Sequence, residues 1–272
     1  MTGVQKTELE ILKEFISVCD KLDLRYYLVC GSALGAVKYK GFIPWDDDID
    51  VALLRDDYTV FCRKAPEMLP EGLFLQTYQT DREFPCVYAK LRNSSTTFIE
   101  NSVSNLNIHH GVYIDVFPLD GYPRTESGQR ELERKKRALK LKLTCAFKSN
   151  PNQSIKAKVY LSLLRLLGYH RRTQATAEKL EKLLSSFDTE SSEIWCNHGN
   201  WQKQLEYAPK EQYGNGTAAE FEGISVRIPE NYDAYLTQKY GDWRADLPDA
   251  QKQSHHDVAV CDLEKPYTEY FR

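Results

Sequence analysis

Residues 31–50 combine a small-residue turn with an acidic cluster, and both are residue types that phosphate chemistry uses. Gly31 and Ser32 follow an apolar segment, and the acids of residues 46–50 lead into the apolar segment 51–53. Because alternate side chains of a strand share one face, Asp48 and Asp50 are predicted to point the same way. Two carboxylates on one face are the hard oxygen ligands that Mg²⁺ prefers, with Mn²⁺ as a substitute. The sequence therefore predicts a divalent metal site at the start of this strand.

The Gly31-Ser32 turn is predicted to open a helix and to bind phosphate. Backbone amides at the start of a helix have no partner within it, and the helix dipole favours negative charge there. A Gly-Ser turn or an Asp-x-Asp pair taken alone is more often structural than catalytic. Their order and spacing together are typical of nucleotidyltransferase-type catalysis, in which the turn and the acids face one active site.

Residues 31–50 resemble the signature of the LicD family, which comprises phosphorylcholine and related substituted-phosphate transferases. Fukutin and fukutin-related protein are distant animal relatives of this family. The resemblance extends over nearly the whole chain except a variable stretch at about 124–220, and outside the signature it is carried by residues 9–12, 89–92, 96–97, 111–121, 232–243 and 254–256. Two departures, Ser32 where many members have Thr and Lys38-Tyr39 where Arg-His is common, preserve the hydroxyl and the charge.

Asp115 is the third carboxylate of the predicted site. It lies in the strongly apolar segment 112–117, where a charged side chain is costly unless it is paired or metal-bound. A charge on the wet face of an edge strand is the structural alternative. In nucleotidyltransferase-like sites the third acid completes the metal site and can accept the proton of the attacking hydroxyl. The resemblance therefore implies both roles for Asp115, beside Asp48 and Asp50.

His255 and His256 resemble the paired histidines of the family's C-terminal region. They are predicted to reach the donor phosphate or the leaving group, with polar surface as the alternative. His109 and His110 are weaker candidates for the same role. The tail from residue 241 is polar and is predicted to be irregular, so tertiary contacts must position its histidines.

Three basic residues are predicted to contact the donor phosphates as cationic clamps, together with Gly31 and Ser32. They are Lys38, Lys90 and Arg92. A solvated surface charge is an equally good interpretation of each of the three.

Trp45, Asp46 and Asp47 are the predicted contacts for a cationic head group. An aromatic face attracts a quaternary ammonium, and neighbouring carboxylates add to that attraction. Packing of the loop against the core explains Trp45 equally well. The prediction is therefore specific to donors that carry a positive charge.

The resemblance implies Mg²⁺-dependent transfer of phosphocholine, or a similar phospho-alcohol, from a CDP-activated donor to a glycan hydroxyl, with release of CMP. The expected acceptor is a cell-surface glycan precursor of the capsule, teichoic acid or lipopolysaccharide type. Phosphoethanolamine, aminoethylphosphonate and polyol phosphate are alternative groups for the same mechanism. An ordinary nucleotidyltransferase and a non-catalytic binding protein are the remaining alternatives. The net charge of −3 does not favour nucleic-acid binding, and three converging acids argue against a scaffold.

Composition favours a cytoplasmic globular enzyme. The 272 residues are 42% hydrophobic and 28% charged, without a run of about 18 apolar residues that could span a bilayer. No basic and apolar leader precedes the first predicted helix, so a cytoplasmic location is expected. The seven cysteines have no C-x-x-C spacing, which predicts reduced thiols instead of a zinc site or a disulfide framework.

The predicted fold is α+β, a nucleotidyltransferase-like mixed sheet with flanking helices and an additional helical region. Residues 1–123 are predicted to form the catalytic core, residues 124–220 a basic helical region, and residues 221–272 a segment that completes the core and the site. Strands are expected within 25–30, 49–53, 73–78, 86–92, 96–100 and 112–117, and a strand or hairpin within 221–229. Helices are expected within 7–21, 32–39, 56–65, 131–147, 155–187 and 231–239.

Residues 134–177 contain twelve Lys or Arg and no acid, which leaves 24 basic against 39 acidic residues in the rest of the chain. Within this segment an apolar run, residues 159–167, is flanked by Lys156, Lys158, Arg171 and Arg172. Such a composition is typical of an interfacial helix, and each basic residue near an anionic membrane contributes about 1 kcal/mol. The segment is predicted to dock on the cytoplasmic leaflet. The alternatives are a solvated face, or core packing of the run with an acidic acceptor on the charges.

Overall fold

The computed structural model describes residues 1–148, 154–199, 207–246, 248, 252 and 256–270. Its architecture is α+β with a mixed sheet, which confirms the predicted fold class. The helices are α1 (Gly3–Leu22), α2 (Cys30–Tyr39), α3 (Arg55–Lys64), α4 (Glu126–Thr144), α5 (Ile155–Leu166), α6 (Thr173–Leu184), α7 (Lys210–Tyr213) and α8 (Tyr232–Tyr240). The strands are β1 (Tyr26–Leu28), β2 (Asp50–Leu54), β3 (Leu73–Gln76), β4 (Ala89–Asn93), β5 (Thr97–Glu100), β6 (Tyr113–Gly121), β7 (Ile194–Asn197), β8 (Tyr207–Pro209), β9 (Thr217–Phe221), β10 (Ile224–Ile228) and β11 (Val258–Asp262).

Strand β6 is the centre of a seven-stranded sheet. The main path of this sheet runs β1-β2-β6-β4-β3, and β7 extends it from β6 to β8. The β2–β6 pair is parallel, whereas β4 pairs with β6 in the antiparallel direction. The pairs β5–β11 and β9–β10 form separate two-stranded sheets. Strand β6 is thus paired on both sides, which fits the strongly apolar sequence in which Asp115 lies.

Helix α1 packs against the sheet through residues at three- and four-residue spacing. Leu12 and Phe15 are completely buried, and the helix starts at Gly3 because Thr2 and Gln5 form a reciprocal capping box. This confirms the helix predicted over residues 7–21 and extends it by one turn at its N-terminus. The same helix brings Glu8 and Gln5 to the acidic cluster.

Two regions contain strands that the pattern of residues did not predict. In the region predicted to be basic and helical, β7 and β8 join the main sheet, and β7 pairs with the end of β6. The tail predicted to be irregular contains β11, which pairs with β5. Both strands are short and have partners remote in sequence, so local periodicity gave little signal for them. The β5–β11 pair holds the tail beside the acidic cluster.

Among the described residues no disulfide joins the cysteines, and Cys19, Cys145 and Cys196 are buried. Among the described residues, none of the helices is long and apolar enough to cross a membrane.

Candidate active site

Three charged residues are aligned across the middle of the main sheet. Asp50 of β2 is paired with Asp115 of β6, and Lys90 of β4 is paired with Asp115 on its other side. Residues directly opposite one another in neighbouring strands present their side chains on the same face. The ammonium of Lys90 lies 2.8 Å from Oδ1 of Asp115. The parallel β2–β6 register therefore brings together two of the three acids that the sequence singled out.

The loop before β2 adds further carboxylates to this row, which we call the acid row (Asp46, Asp48, Asp50, Asp115 and Lys90). Burial raises the pKa of Asp48 and Asp50, and neighbouring carboxylates, Asp115 among them, raise both further. Burial, followed by the charge of Asp48, raises the pKa of Asp46 to about 7. Negative charge is thus concentrated where the protein poorly solvates it. A cation bound among these oxygens would relieve that cost.

Glu8 of α1 is a fifth carboxylate at this position that the sequence analysis missed. It is buried, and its Oε2 atom has no hydrogen-bond partner in the part of the chain that the structure describes. Burial raises the pKa of Glu8 well above its usual value, and Asp48, Asp47, Asp46 and Asp115 raise it further. A signal existed in the sequence, because Glu8 lies four residues before Leu12 on the apolar face of a helix, where an isolated acid is unusual. Gln5, one turn earlier, donates to the carbonyl of Asp46 at 2.7 Å and so fixes the acidic loop.

The donor set of the acid row fits a hard divalent cation. It consists of carboxylates, with the unsatisfied Oε2 atom of Glu8 beside them, and such oxygens suit Mg²⁺ or Mn²⁺. Within the described ranges, His, Cys, Asp and Glu side chains do not already form a group of three arranged to hold a metal ion. Asp115 instead contacts the ammonium of Lys90. Asp48, Asp50 and Asp115 remain the residues that would hold the ion.

The turn at the start of α2 closes tightly on the acidic loop. A Cβ atom at Gly31 would lie 2.6 Å from Oδ2 of Asp46, so a larger residue there would displace this carboxylate. Ser32 is buried, and its Oγ accepts a hydrogen bond from the amide of Asp50 at 2.8 Å. Cys30 has a positive φ of 53°, and its amide donates to the hydroxyl of Tyr235 at 3.1 Å. Ser32 therefore fixes the first residue of β2, and the predicted phosphate contact remains a prediction.

Two of the three predicted phosphate clamps have structural partners. Lys38 donates to the carbonyls of Arg244 at 3.1 Å and Ala245 at 2.8 Å, and so anchors the loop after α8. Arg92 is fully buried and donates to Gln76 at 2.5 Å and to the carbonyl of Gly111 at 2.7 Å. Both side chains therefore have internal structural partners in this conformation, and their role as phosphate clamps stays a prediction. Sequence alone could not separate these roles, because the partners are remote in the chain.

Lys90 is the predicted clamp that lies in the acid row. Lys90 is buried. Its ammonium lies 3.3 Å from the ring centroid of Tyr113 and 5.8 Å from the ring centroid of Tyr88. The hydroxyl of Tyr113 donates to Glu100 at 3.1 Å. Burial opposes ionisation of Glu100, but the charges of Lys90, His256 and Arg92 outweigh it and lower the Glu100 pKa. Lys90 thus supplies a fixed positive charge directly beside the acids.

Trp45 lies at the end of the acid row that precedes β2, half-buried and edge-on to Tyr39 at 6.2 Å between centroids. The ammonium of Lys252 lies over its ring, 5.5 Å from the centroid. The indole thus both packs against the protein and presents a face that accepts a cation. The two interpretations of Trp45 are compatible.

His256 lies beside the acidic loop, whereas His109 and His110 pack elsewhere in the core. Its Nδ1 atom is 3.3 Å from Oδ1 of Asp47. Burial lowers the pKa of His256, but the contact with Asp47 and the charges of Asp48 and Glu100 raise it more, to about 8.

His255 lies outside the described residues. His109 stacks on Phe74 at 5.0 Å, and its pKa falls to about 3 through burial, so it is a neutral core residue.

His110 is also a core residue. Its Nε2 atom lies 3.1 Å from the carbonyl of Leu106, and the ring is completely buried. Burial lowers its pKa. The structure therefore gives both members of the 109–110 pair a packing role and leaves His256 as the described histidine beside the acids.

An open cavity of about 360 Å³ lies next to the acid row on the same face of the sheet. Phe117 follows Asp115 by two positions and Tyr88 precedes Lys90 by two, so both share the face of the row. Their rings are 4.7 Å apart and line this cavity. Lys140, Thr144 and His198 contribute to its wall. The cavity is lined by Phe117, which follows Asp115 along β6, whereas Trp45 lies in the loop that precedes Asp50 of β2.

The part of the chain that contains the acid row is similar to a nucleotidyltransferase domain. Residues 23–142 match the family model described as LicD/FKTN/FKRP, nucleotidyltransferase domain, and this range contains Asp48, Asp50, Lys90 and Asp115. The chain is also 29% identical over 260 residues to the lipopolysaccharide cholinephosphotransferase LicD of Haemophilus influenzae, which covers 91% of this chain and 92% of that protein. The chain is thus similar to members of the LicD family, in agreement with the resemblance of residues 31–50.

Two further relatives match over shorter segments. An uncharacterized protein of Rickettsia typhi is 31% identical over 63 residues, which are 23% of this chain and 20% of that protein. An uncharacterized protein of Rickettsia prowazekii is 33% identical over 48 residues, 18% of each chain.

Proposed function

We propose that this protein transfers phosphocholine, or a closely related phospho-alcohol, from a CDP-activated donor to a hydroxyl of a glycan precursor and releases CMP. It is similar to members of the LicD family, and the Haemophilus relative carries the name of a lipopolysaccharide cholinephosphotransferase. The observation that carries the proposal is the acid row, in which the β2–β6 register aligns Asp50 with Asp115 beside the charge of Lys90. Phosphoryl transfer needs positioning and charge neutralisation more than covalent chemistry, and this row can supply both.

The acid row would hold a divalent cation through Asp48, Asp50 and Asp115. When bound, Mg²⁺ would neutralise charge on the diphosphate of the donor. Lys90 adds a second positive charge, and the α2 turn offers the amides of Gly31 and Ser32 to a phosphate oxygen. Asp115 is the proposed acceptor of the proton from the attacking glycan hydroxyl. A new bond forms from the glycan oxygen to the distal phosphorus, and the bond to the CMP oxygen breaks, so CMP leaves with that electron pair.

The loop before β2 and the cavity suit the two ends of such a donor. Trp45 is followed directly in the chain by Asp46 and Asp47, and its indole face already carries the ammonium of Lys252 at 5.5 Å. A trimethylammonium head group could displace this intramolecular cation and take the same position. We propose that the head group binds at this loop, in contact with Trp45 and with Asp46 or Asp47.

The cavity suits the nucleoside. The rings of Tyr88 and Phe117 offer a stacking surface for a heteroaromatic base. Lys90 lies over the ring of Tyr88, which connects this surface directly to the acid row. A diphosphate on the acid row would then join a base in the cavity to a cationic head group at Trp45.

A panel of activated alcohols tests the proposed function. The full chain is incubated with Mg²⁺ and with CDP-choline, CDP-ethanolamine or a CDP-polyol, with and without candidate glycan acceptors, and CMP release is measured. We expect release with CDP-choline that increases when an acceptor is present and stops when EDTA removes the metal. Preference for a neutral polyol donor would overturn the choline assignment. Release of pyrophosphate from CTP, with no CMP from any activated alcohol, would instead indicate an ordinary nucleotidyltransferase.

A further inference from the structure

Helix α5 exposes the large apolar side chains that a soluble helix normally buries. Six of the large hydrophobic residues that are exposed in the described part of the chain lie between Ile155 and Leu167. The exposed fraction is 84% for Leu166, 80% for Ile155 and 64% for Val159. Tyr160, Leu163 and Leu167 are the other three. Such a contiguous patch is unusual on a protein surface and marks an interaction site.

The exposed apolar face lies opposite the face by which α5 packs on the protein. Leu161 and Leu164 are buried against Cys145, and Arg165 donates to the carbonyls of Cys145 and Phe147 at 2.9 and 2.6 Å. At about 100° per residue, Ile155, Val159 and Leu166 fall within about 40° of one another and roughly 120° to 180° from Leu161 and Leu164. One face of α5 therefore packs on the core. This packing does not explain why the opposite face is also apolar.

The charges around this face match an anionic surface. Lys156 and Lys158 on α5 are exposed, as are Arg171 and Arg172 in the 3₁₀ turn that follows it. Lys136 and Lys140 are buried, so the basic segment supplies fewer surface charges than its composition predicts. The four exposed residues flank the apolar face, and residues 134–177 contain no acid. The rest of the chain is strongly acidic, so an anionic surface would attract this end of the molecule and repel the other.

We propose that α5 docks the protein on an anionic lipid surface, with its apolar face in the interface and its basic flanks on the headgroups. The helix has 12 residues and is about 18 Å long, so it lies along the surface and does not cross the bilayer. A symmetric contact between two copies through the same face fits the charges poorly, since it would bring the basic flanks of both copies together. The proposal does not depend on the reaction that the acid row performs.

Vesicle co-sedimentation of the full chain tests this proposal. We expect binding to phosphatidylcholine vesicles that contain a quarter phosphatidylglycerol, at least tenfold weaker binding to pure phosphatidylcholine, and loss of binding as NaCl rises from 0.1 to 0.5 M. The double variant Val159→Ser/Leu166→Ser should reduce binding at least tenfold. The conservative variant Val159→Ile/Leu166→Met should bind like the wild type.

A charge-matched pair of variants separates local docking from a general charge effect. The docking variant replaces four residues of the basic flanks with Gln: Lys156, Lys158, Arg171 and Arg172. The control variant replaces four exposed basic residues elsewhere with Gln: Lys6, Lys21, Arg63 and Lys64. We expect at least a tenfold loss for the first and less than a twofold change for the second.

Three results would overturn the proposal. The first is equal binding to neutral and anionic vesicles, and the second is unchanged binding of the Val159→Ser/Leu166→Ser variant. The third is a wild-type protein that is a dimer in sedimentation without lipid and does not bind vesicles, together with a double variant that is a monomer. Far-UV circular dichroism and the melting temperature of each variant show that it is folded. Leu166→Trp gives an independent readout, because its emission should shift to the blue with anionic vesicles.

Discussion

The acid row and α5 depart from the usual distribution of residues in opposite ways. In the acid row, carboxylates that water would solvate are half-buried, and burial and mutual repulsion raise the pKa of Asp46, Asp48 and Asp50. On α5, apolar side chains that a core would accept remain in solvent. Each arrangement costs stability in the isolated chain and is relieved by a particular kind of partner, a cation in one case and an apolar, anionic surface in the other.

The difference also shows which kind of partner each region needs. The acid row is built across strands whose register fixes Asp50 beside Asp115, so its geometry is rigid and suits a small ligand of defined coordination. Helix α5 is held by one narrow face and a few hydrogen bonds, and its exposed face needs only area and charge from the partner. A rigid, half-buried site is typical of catalysis, whereas an exposed amphipathic helix is typical of attachment.

Substitutions of the three acids should all reduce activity, but they should differ in their effect on the melting temperature of the protein. Asp50→Asn, like Asp48→Asn, should reduce transfer on the order of a thousandfold, because the site loses a proposed metal ligand. Without metal, Asp50→Asn should raise the melting temperature, since it removes a buried charge whose pKa is raised. Asp115→Asn should also abolish transfer but lower the melting temperature, because Lys90 is left buried without its partner. Near-normal turnover at saturating Mg²⁺ in any of these variants would remove that residue from the site.

A matched pair on α5 tests whether its two faces differ as described. Leu164→Ala should destabilise the fold by about 3 kcal/mol, because Leu164 is only 6% exposed and packs beside Cys145. Leu166→Ala should change the free energy of unfolding by less than about 0.5 kcal/mol, because Leu166 lies in solvent. Urea denaturation of both variants measures the difference. Equal losses would mean that Leu166 is buried in solution.

The contact between His256 and Asp47 should make stability depend on pH in the metal-free protein. The pKa of His256 rises from its usual 6.5 to about 8 in the folded state, so the contact stabilises fully below pH 6.5 and is lost as pH rises through 8. The expected contribution is up to about 2 kcal/mol. Melting temperatures in EDTA between pH 6 and 9 should fall more steeply for the wild type than for His256→Gln. Parallel curves would show that His256 is not protonated on Asp47.

Trp45 should distinguish donors by the charge of their head groups. Trp45→Ala should raise the KM for CDP-choline about tenfold, which corresponds to about 1.4 kcal/mol, and should change the KM for a CDP-polyol much less. Trp45→Phe should retain most of the affinity, because a smaller aromatic face remains. Equal effects on both donors would restrict Trp45 to its packing against Tyr39.

Local patterns predicted most of the fold and singled out two acids, Asp50 and Asp115, that the structure places side by side. Asp48 was predicted to share the face of Asp50 by alternation in a strand, but it lies in the loop before β2, so its role stays a prediction. The α1, α2, α3 and α8 helices lie where periodicity and composition indicated them. Most of these elements depend on residues close in sequence, which a single chain shows directly.

Features that depend on remote partners were beyond such reasoning. Lys38 and Arg92 have the residue type of a phosphate clamp, and only their carbonyl partners reveal a structural role. Glu8 reaches the acids because α1 packs across the sheet, and β11 exists because β5 has a free edge. The apolar run of residues 159–167 could have been core or surface, and its burial alone decides between them.

Binding of Mn²⁺ by the full chain, followed by electron paramagnetic resonance as free Mn²⁺ decreases, tests the central claim that the acid row is a metal site. We expect the wild type to bind Mn²⁺ in competition with Mg²⁺, and CDP-choline to tighten this binding. Asp48→Asn, Asp50→Asn and Asp115→Asn should each weaken it at least tenfold, while Asp56→Asn on the exposed start of α3 should leave it unchanged. Wild-type Mn²⁺ affinity in all three acid variants, or no binding by the wild type with CDP-choline present, would contradict the account.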